Sequence, residues 1–225
     1  MLYKKPGIPL FIAILFHFTG VLGILFTPYR DWFIANTPLT LILMGILLAA
    51  SQEKIEKRFV LFFLLAFVTG MVTEMIGVNT GILFGNYAYG TVMGPKLLGV
   101  PFLIGMNWFV IVFCCGSLMH KLNKVMLAKY DAPIPVAIIK WSVIIDGAVL
   151  ATFFDWLMEP VAVKLGFWSW EGGVIPMLNY ACWFGISAIL LGVQQQLKIK
   201  AQNHFAIHLL IIQSLFFLSL RTFLS

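Results

Sequence analysis

Long runs of apolar residues, separated by short polar stretches, extend along almost the whole chain. A helix needs about 20 predominantly apolar residues to cross the hydrocarbon core of a bilayer. By this measure we predict seven membrane-spanning helices, at 8–26, 32–50, 59–77, 98–119, 134–156, 174–195 and 204–222. The second is the least regular, because Pro38 lies inside it and proline interrupts helical hydrogen bonding. The pattern therefore predicts an all-α fold, a polytopic bundle of membrane helices.

The composition of the chain agrees with this pattern. Of the 225 residues, 61% are hydrophobic and 11% are charged, and the mean hydropathy is +0.97. These values exclude an ordinary soluble domain. The loops are too short to contain one, so we expect a single integral membrane domain over 1–225. The first apolar run is too long for a signal peptide and lacks a small-residue cleavage site.

The basic residues are divided unequally between the two sides of the predicted bundle. One side has ten: Lys4, Lys5, Lys54, Lys57, Arg58, Lys121, Lys124, Lys129, Lys198 and Lys200. The other has four: Arg30, Lys96, Lys164 and Arg221. The positive-inside rule predicts a cytoplasmic N-terminus in the cell membrane, with the 78–100 and 157–173 loops outside. The loops account for the net charge of +6, which therefore does not indicate nucleic-acid binding.

The cysteines and histidines do not form a recognisable metal site. Cys114, Cys115 and Cys182 lie in apolar runs without metal-ligand spacing, so we interpret them as packing residues. His204 and His208 are four apart, but they lie at the end of the bundle opposite the acidic residues. Membrane oxygenases with di-iron centres need many clustered histidines, and this chain has 4. We therefore expect no metal.

Three acidic residues lie at the edges of apolar runs. Glu74 ends one run and precedes a loop rich in glycine, asparagine and tyrosine. Asp155 and Glu159 are four residues apart and share a helix face. A charge at the centre of a membrane helix costs about 2.5–3.5 kcal/mol, so acids in such segments usually have a function. Of two neighbouring buried carboxyls, one could keep its proton at neutral pH and act as a proton donor.

Two segments of the chain repeat the same order of features. Each has an acid at a helix end, an aromatic-x-aromatic loop, a proline that starts the returning helix, and a tryptophan seven residues later. In the first these are Glu74, Tyr87, Tyr89, Pro101 and Trp108; in the second, Asp155, Glu159, Trp168, Trp170, Pro176 and Trp183. A parallel repeat of 59–119 and 134–195 would bring the acids together near the outer leaflet. Alternatively, membrane interfaces collect such residues without any repeat.

Two familiar classes of membrane protein do not fit the chain. Retinal proteins need a lysine for a Schiff base in the seventh helix, and 204–222 contains none. Prenyltransferases need paired aspartate-rich motifs that hold magnesium and diphosphate. Asp155 and Glu159 alone do not provide them.

One segment has an acid, the pattern G-x-x-T-G-x-x-F-G-x-Y-x-Y, then V-P and Trp, at Glu74, Gly77, Thr80, Gly81, Phe84, Gly85, Tyr87, Tyr89, Val100, Pro101 and Trp108. In this the sequence resembles the integral membrane carotenoid 1,2-hydratases of bacteria and archaea, whose first pattern it matches. Their second is matched by Asp155, Glu159, Pro160, Gly166, Phe167, Trp168, Trp170, Gly173, Pro176 and Asn179. The chain departs from it in having Glu159 where the family has Asp, and in one extra residue between Gly173 and Pro176.

The resemblance implies a hydro-lyase that adds water across the terminal C1=C2 bond of an acyclic carotenoid ψ-end of the lycopene or γ-carotene type. It implies acid catalysis by Glu74, Asp155 and Glu159, in a reaction that requires no cofactor. General acid catalysis is worth roughly 10²–10⁴-fold, and aromatic faces can stabilise the cation. Substrate-binding residues are then expected among the loop and helix-start side chains: Asn79, Tyr87, Tyr89, Trp108, Trp168, Trp170, Asn179 and Trp183.

Two alternatives remain open from the residues. A carotenoid ψ-end cyclase begins with the same protonation but excludes water from the cation. A small transporter or lipid-binding membrane protein could use the acids to relay protons. Transport needs polar groups from one face to the other, whereas here they gather mainly on one side, which argues against it.

Overall fold

The computed structural model describes residues 7–129, 135–199 and 203–224. In these ranges the chain forms eight α-helices: α1 (Gly7–Phe26), α2 (Arg30–Ala35), α3 (Thr37–Ala50), α4 (Lys57–Thr80), α5 (Phe102–Lys129), α6 (Val136–Lys164), α7 (Met177–Gln196) and α8 (His204–Phe223). All but α2 and α3 are long and apolar enough to cross a membrane. The predicted all-α, polytopic bundle is confirmed. Lys4, Lys5, Lys200 and residue 134 lie outside the described ranges.

The second predicted span, 32–50, is divided into two short helices. The N–H of Asn36 bonds to the carbonyl of Trp32 and ends α2, and α3 begins at Thr37. Pro38 lies in the first turn of α3, where its missing N–H breaks no helical hydrogen bond. With 14 residues, α3 is shorter than the roughly 20 needed for a crossing. The described residues therefore have six helices of spanning length rather than seven.

The central helix of the bundle is α5, which contacts α3, α4, α6, α7 and α8. Of its most apolar window, 72% is buried, against 22–39% in the other spanning helices. Its middle is entirely hidden, and Phe113, Cys114 and Cys115 are each 0% exposed. Both cysteines are free thiols packed in the core. The other spanning helices thus bury one side and leave the other for lipid.

Four short strands join the helices at one end of the bundle. They are β1 (Tyr87–Tyr89), β2 (Lys96–Leu97), β3 (Val100–Pro101) and β4 (Trp168–Trp170). β1 pairs with β4 in antiparallel register, so that Ala88 lies opposite Ser169. The same end holds the last turns of α4 and α6 and the first turns of α5 and α7. The two aromatic-x-aromatic segments, distant in the sequence, thus form one small sheet.

Two glycines make this end of the bundle possible. Gly81 ends α4 in the left-handed conformation, with φ of 69°, and its N–H bonds to the carbonyl of Gly77. Gly90 follows β1 and donates its N–H to the carbonyl of Phe167 at 2.8 Å. A Cβ at Gly90 would lie 2.1 Å from the carbonyl oxygen of Gly166. Only glycine therefore lets the two loops approach closely enough to pair.

Candidate active site

Three buried carboxyl groups share one small cavity beneath the β1–β4 sheet. Glu74 comes from the last turns of α4, and Asp155 and Glu159 come from α6. Their side chains are 4%, 0% and 3% exposed. The cavity is lined by Glu74, Phe84, Tyr87, Tyr89, Ile104, Asn107, Trp108, Asp155, Met158, Glu159, Trp168, Trp170, Asn179 and Trp183. Its volume is about 20 Å³, which is enough for one water molecule, since a water needs roughly 10–15 Å³.

The Glu74 carboxyl accepts hydrogen bonds from three aromatic side chains. The hydroxyls of Tyr87 and Tyr89 both donate to Oε2, the latter at 2.7 Å, and Nε1 of Trp108 donates to Oε1 at 3.0 Å. Burial, and then the nearby Glu74 carboxyl, raise the pKa of both tyrosine hydroxyls well above the ordinary value. Both hydroxyls therefore keep their protons and act as donors. Three donors on two oxygens suit an ionised carboxylate.

Glu159 is held in a similar way by the opposite strand. The indole N–H groups of Trp168 and Trp170 both donate to its Oε2, at 2.9 and 2.8 Å. Its Oε1 accepts a longer bond, 3.4 Å, from Nδ2 of Asn179. Indole is a donor only, so Oε2 accepts both bonds and does not itself carry a proton.

Asp155 differs from the other two acids. Its Oδ2 accepts a 2.7 Å hydrogen bond from Nδ2 of Asn179. Its Oδ1 is buried and has no hydrogen-bond partner among the residues that the structure describes. Leaving a buried polar atom unpaired costs about 1–3 kcal/mol, and more if it is charged. Among the six carboxyl oxygens of these described acids, this one alone is available to a ligand in the cavity.

The register of the small sheet aims its aromatic rings at the acids. Tyr87 pairs with Trp170 and Tyr89 with Trp168, and the ring centroids are 4.9 and 5.8 Å apart. Alternate residues of a strand point to opposite faces, so the intervening Ala88 is exposed. The alternation therefore puts four polar aromatic side chains on one face, over the cavity.

Of the candidates from the sequence, the structure brings together all but one. The side chains that meet at the cavity are Glu74, Asp155, Glu159, Tyr87, Tyr89, Trp108, Trp168, Trp170, Asn179 and Trp183. Asn79 does not join them. It lies five residues after Glu74, which turns it to another side of α4. There it is exposed and donates to the carbonyls of Met75 and Leu98, at 2.8 and 3.0 Å. It therefore ties the loop to the helix end.

Four further residues line the cavity that sequence reasoning had not assigned to it. Asn107 directly precedes Trp108 in α5. Phe84 belongs to the first sequence pattern, but its apolar side chain did not indicate that it would line the cavity. Ile104 and Met158 carried no chemical signal in the sequence. Met158 is three residues after Asp155 and therefore lies beside it on α6.

His204 and His208 lie at the end of the bundle opposite the acids. His204 and His208 are exposed in the first turns of α8, and Nδ1 of His208 is 2.7 Å from the carbonyl oxygen of His204. Within 7–129, 135–199 and 203–224, no group of three or more His, Cys, Asp or Glu side chains could hold a metal ion.

Comparison with known proteins places the chain in a family. A family model described as carotenoid biosynthesis protein matches residues 36–224. The bisanhydrobacterioruberin hydratase of Haloarcula japonica is 33% identical over 126 residues, which are 52% of this chain and 39% of that protein. The chain thus matches about two fifths of that relative's length. No solved structure matches the chain.

Proposed function

Since the chain belongs to the carotenoid biosynthesis protein family, we propose that it is a hydratase that adds water to an acyclic carotenoid. The reaction takes place at the terminal C1=C2 bond of a ψ-end of the lycopene or γ-carotene type and leaves a tertiary alcohol at C1. One observation carries the proposal: a buried acid with an unpartnered oxygen faces a cavity that holds about one water. The name of the Haloarcula japonica relative supports it.

Asp155 is the proton donor in this mechanism. Glu74 and Glu159 each accept three hydrogen bonds, as carboxylates do. Asp155 accepts one, at Oδ2. A neutral carboxylic acid with its proton on Oδ1 avoids an unpaired buried charge. The proton passes from Oδ1 to C2, the C1=C2 electron pair forms the new C–H bond, and C1 becomes a tertiary cation.

The surroundings of the cavity stabilise that cation. The carboxylates of Glu74 and Glu159 lie in the same buried site and offset its positive charge. The faces of the surrounding indole and phenol rings add a cation–π attraction of about 0.5–2 kcal/mol. Preformed hydrogen bonds hold the acids in place, so little reorganisation is needed when the charge appears.

Water then completes the reaction. A water molecule in the cavity attacks C1 with its oxygen and loses a proton to a neighbouring carboxylate, for which Glu159 is well placed. Asn179 bridges Glu159 and Asp155, with bonds of 3.4 and 2.7 Å, so the two acids are close. Return of the proton from Glu159 to Asp155 restores the starting state. The net change is one water added and no proton gained or lost.

Isotope labelling tests the proposal and separates it from its rivals. The enzyme is incubated anaerobically with an acyclic carotenoid, once in H₂¹⁸O and once in D₂O. The expected product carries ¹⁸O at C1 and one deuterium at C2. A ring that carries deuterium and no oxygen would instead show a cyclase. A requirement for O₂, with label from ¹⁸O₂, would exclude hydration, and absence of any turnover would favour a non-enzymatic protein.

We also propose an orientation in the cell membrane, with a cytoplasmic N-terminus. Lys57 and Arg58 begin α4, and Lys121 and Lys124 lie near the end of α5. These ends lie opposite the β1–β4 sheet. The positive-inside rule then assigns the acid cluster to the outer leaflet.

A further inference from the structure

A second and much larger cavity adjoins the acid cluster. Its volume is about 430 Å³, and it lies between six helices, α1, α2, α3, α5, α6 and α8, and the loops beside the small sheet. Four residues line both cavities: Ile104, Asn107, Met158 and Trp168. The two spaces are therefore separated by single side chains. We call the larger one the side cavity.

The side cavity reaches from the surface of the bundle to its centre. At its outer end are Trp32 and Leu39, which are 61% and 63% exposed. At its inner end are Met44 and Phe154, which are 0% and 2% exposed. Trp32 belongs to α2 and Leu39 to α3, and the large exposed side chains of the neighbouring α1 are apolar and suited to lipid contact. A hydrocarbon dissolved in the bilayer could thus enter without passing through water.

The lining of the side cavity is mostly apolar. No Asp, Glu, Lys or Arg is among the described side chains that line it, and rings such as Phe33, Phe154, Phe216 and Phe217 form much of the wall, with a smaller number of polar side chains that include His17, Thr40 and Gln213. Ligand pockets of drug-sized molecules have roughly 300–1,000 Å³, so the side cavity has room for one end of a carotenoid but not for the whole. The acid cavity, at about 20 Å³, cannot hold any isoprenoid end.

We propose that the side cavity binds the acyclic end of the isoprenoid substrate, with the rest of the chain extending past Trp32 and Leu39 into the lipid. This rests on the proposed function. The terminal double bond then lies against Ile104 and Met158, at the common wall. Met158 is one helical turn from Asp155, and its flexible thioether can move aside. Substrate and water thus approach Asp155 from separate cavities.

Filling the side cavity tests this assignment. Gly20 lines it, and a Cβ there would lie 3.2 Å from Cε2 of Phe216. Gly20→Leu therefore narrows the space. The matched control is Gly185→Leu, the same change in another spanning helix, where a Cβ meets nothing within 4 Å. We expect Gly20→Leu to raise KM for the carotenoid about tenfold or more, equivalent to the loss of one decade of affinity. Gly185→Leu should leave KM unchanged.

Binding can be measured without turnover by titrating the protein with carotenoid and following tryptophan fluorescence, which the polyene of the carotenoid quenches. Trp32→Phe is made in the Asp155→Asn background, where we expect turnover to be slow enough for binding to be measured first. Trp32 is 61% exposed, so this change should not disturb folding. We expect the carotenoid to quench the tryptophan fluorescence of Asp155→Asn protein. In the protein that carries both Asp155→Asn and Trp32→Phe, we expect part of that quenching to be lost. This readout also serves if Gly20→Leu fails to fold.

The outcomes distinguish the two proposals. If wild-type protein incorporates ¹⁸O while Gly20→Leu keeps its KM and Trp32→Phe keeps its quenching, the side cavity is not the substrate site and hydration stands. If Trp32→Phe loses quenching but no labelled alcohol forms, the cavity binds the carotenoid and the proposed reaction is wrong. If phospholipid occupies the purified protein and carotenoid does not displace it, the cavity is a lipid site and the inference is overturned.

Discussion

Trp108 and Trp183 stack face to face, with ring centroids 3.9 Å apart and planes 13° from parallel. Each lies seven residues after the proline that precedes its helix. Glu74 precedes Tyr87 by 13 residues, as Asp155 precedes Trp168. In the sheet the pairing is reciprocal, since the first residue of each strand lies opposite the last of the other. Reciprocal contacts between equivalent positions are characteristic of a twofold axis.

This geometry favours the parallel repeat of 59–119 and 134–195, which stays a prediction. In such a repeat, each half would contribute an acid and aromatic donors, and the acids would meet where the halves face each other. The halves are not identical, however, because Glu159 has no counterpart near Glu74. That asymmetry allows one acid to be neutral while the others are charged.

The stacked pair gives the first prediction. Trp108→Phe removes the N–H that donates to Glu74, and a hydrogen bond to a charged group is worth about 1.5–3 kcal/mol. Trp183→Phe keeps a ring in the stack and leaves that donor in place. We expect turnover to fall roughly tenfold to a hundredfold in Trp108→Phe and clearly less in Trp183→Phe. Initial rates in detergent, at saturating carotenoid, measure the difference. Equal losses would show that the N–H does not matter.

The second prediction concerns the acids. Glu74→Gln and Asp155→Asn preserve shape but change charge or remove the acidic proton. We expect each to lower turnover by roughly 10²-fold or more, the usual worth of general acid catalysis or charge stabilisation. The matched control is Glu171→Gln, since Glu171 is exposed and accepts a bond from Asn86 outside the cavity. His208→Ala, at the other end of the bundle, should also be neutral. Wild-type rates in either acid variant would exclude the mechanism.

The third prediction uses two glycines. An alanine normally stabilises a helix by up to about 1 kcal/mol relative to glycine. At Gly70, however, a Cβ would lie 2.6–2.8 Å from the inner atoms of the Trp108 side chain, whereas at Gly185 it meets nothing within 4 Å. We therefore expect Gly70→Ala to lower both thermal stability and turnover, because it displaces the partner of Glu74. Gly185→Ala should keep turnover and not lower stability. Thermal unfolding in detergent gives the sign, and a stabilised, active Gly70→Ala protein would contradict the structure.

The fourth prediction concerns orientation. Ala88→Cys places a thiol on the exposed side of β1, and Lys124→Cys places one near the end of α5. With the acid cluster at the outer leaflet, an impermeant maleimide should label Ala88→Cys in intact cells and label Lys124→Cys only after lysis. Unsubstituted protein gives the background from its own cysteines. The reverse labelling pattern would invert the topology.

Several features of the fold and site follow from the sequence alone. The spanning helices were predictable because the bilayer demands a length of apolar residues that local sequence must supply. The acids stood out for a related reason: a carboxyl in such a segment is costly, so Glu74, Asp155 and Glu159 were conspicuous. The aromatic-x-aromatic loops were also visible, and in the structure they cover the one cavity that the three acids line.

Other features depend on distances that no local pattern contains. The sequence predicted Asn79 at the site, but the turn of α4 directs it elsewhere, to the carbonyl of Leu98. The sequence also predicted one span over 32–50, but the chain ends α2 at Ala35 and starts α3 at Thr37, with Pro38 in its first turn.

The difference in hydrogen bonding among the three acids also depends on the tertiary structure. Sequence showed three similar carboxyls, and hydrogen bonding made them different: aromatic donors surround Glu74 and Glu159, while Oδ1 of Asp155 has no partner among the described residues. The side cavity was invisible for the same reason. Its walls come from mostly apolar residues of six helices and the adjoining loops, and none of these residues is unusual in its own segment. The sequence alone determines the length of each apolar segment and the polar residues within it. A cavity forms where packed helices leave space between them, so it is a property of the assembled bundle.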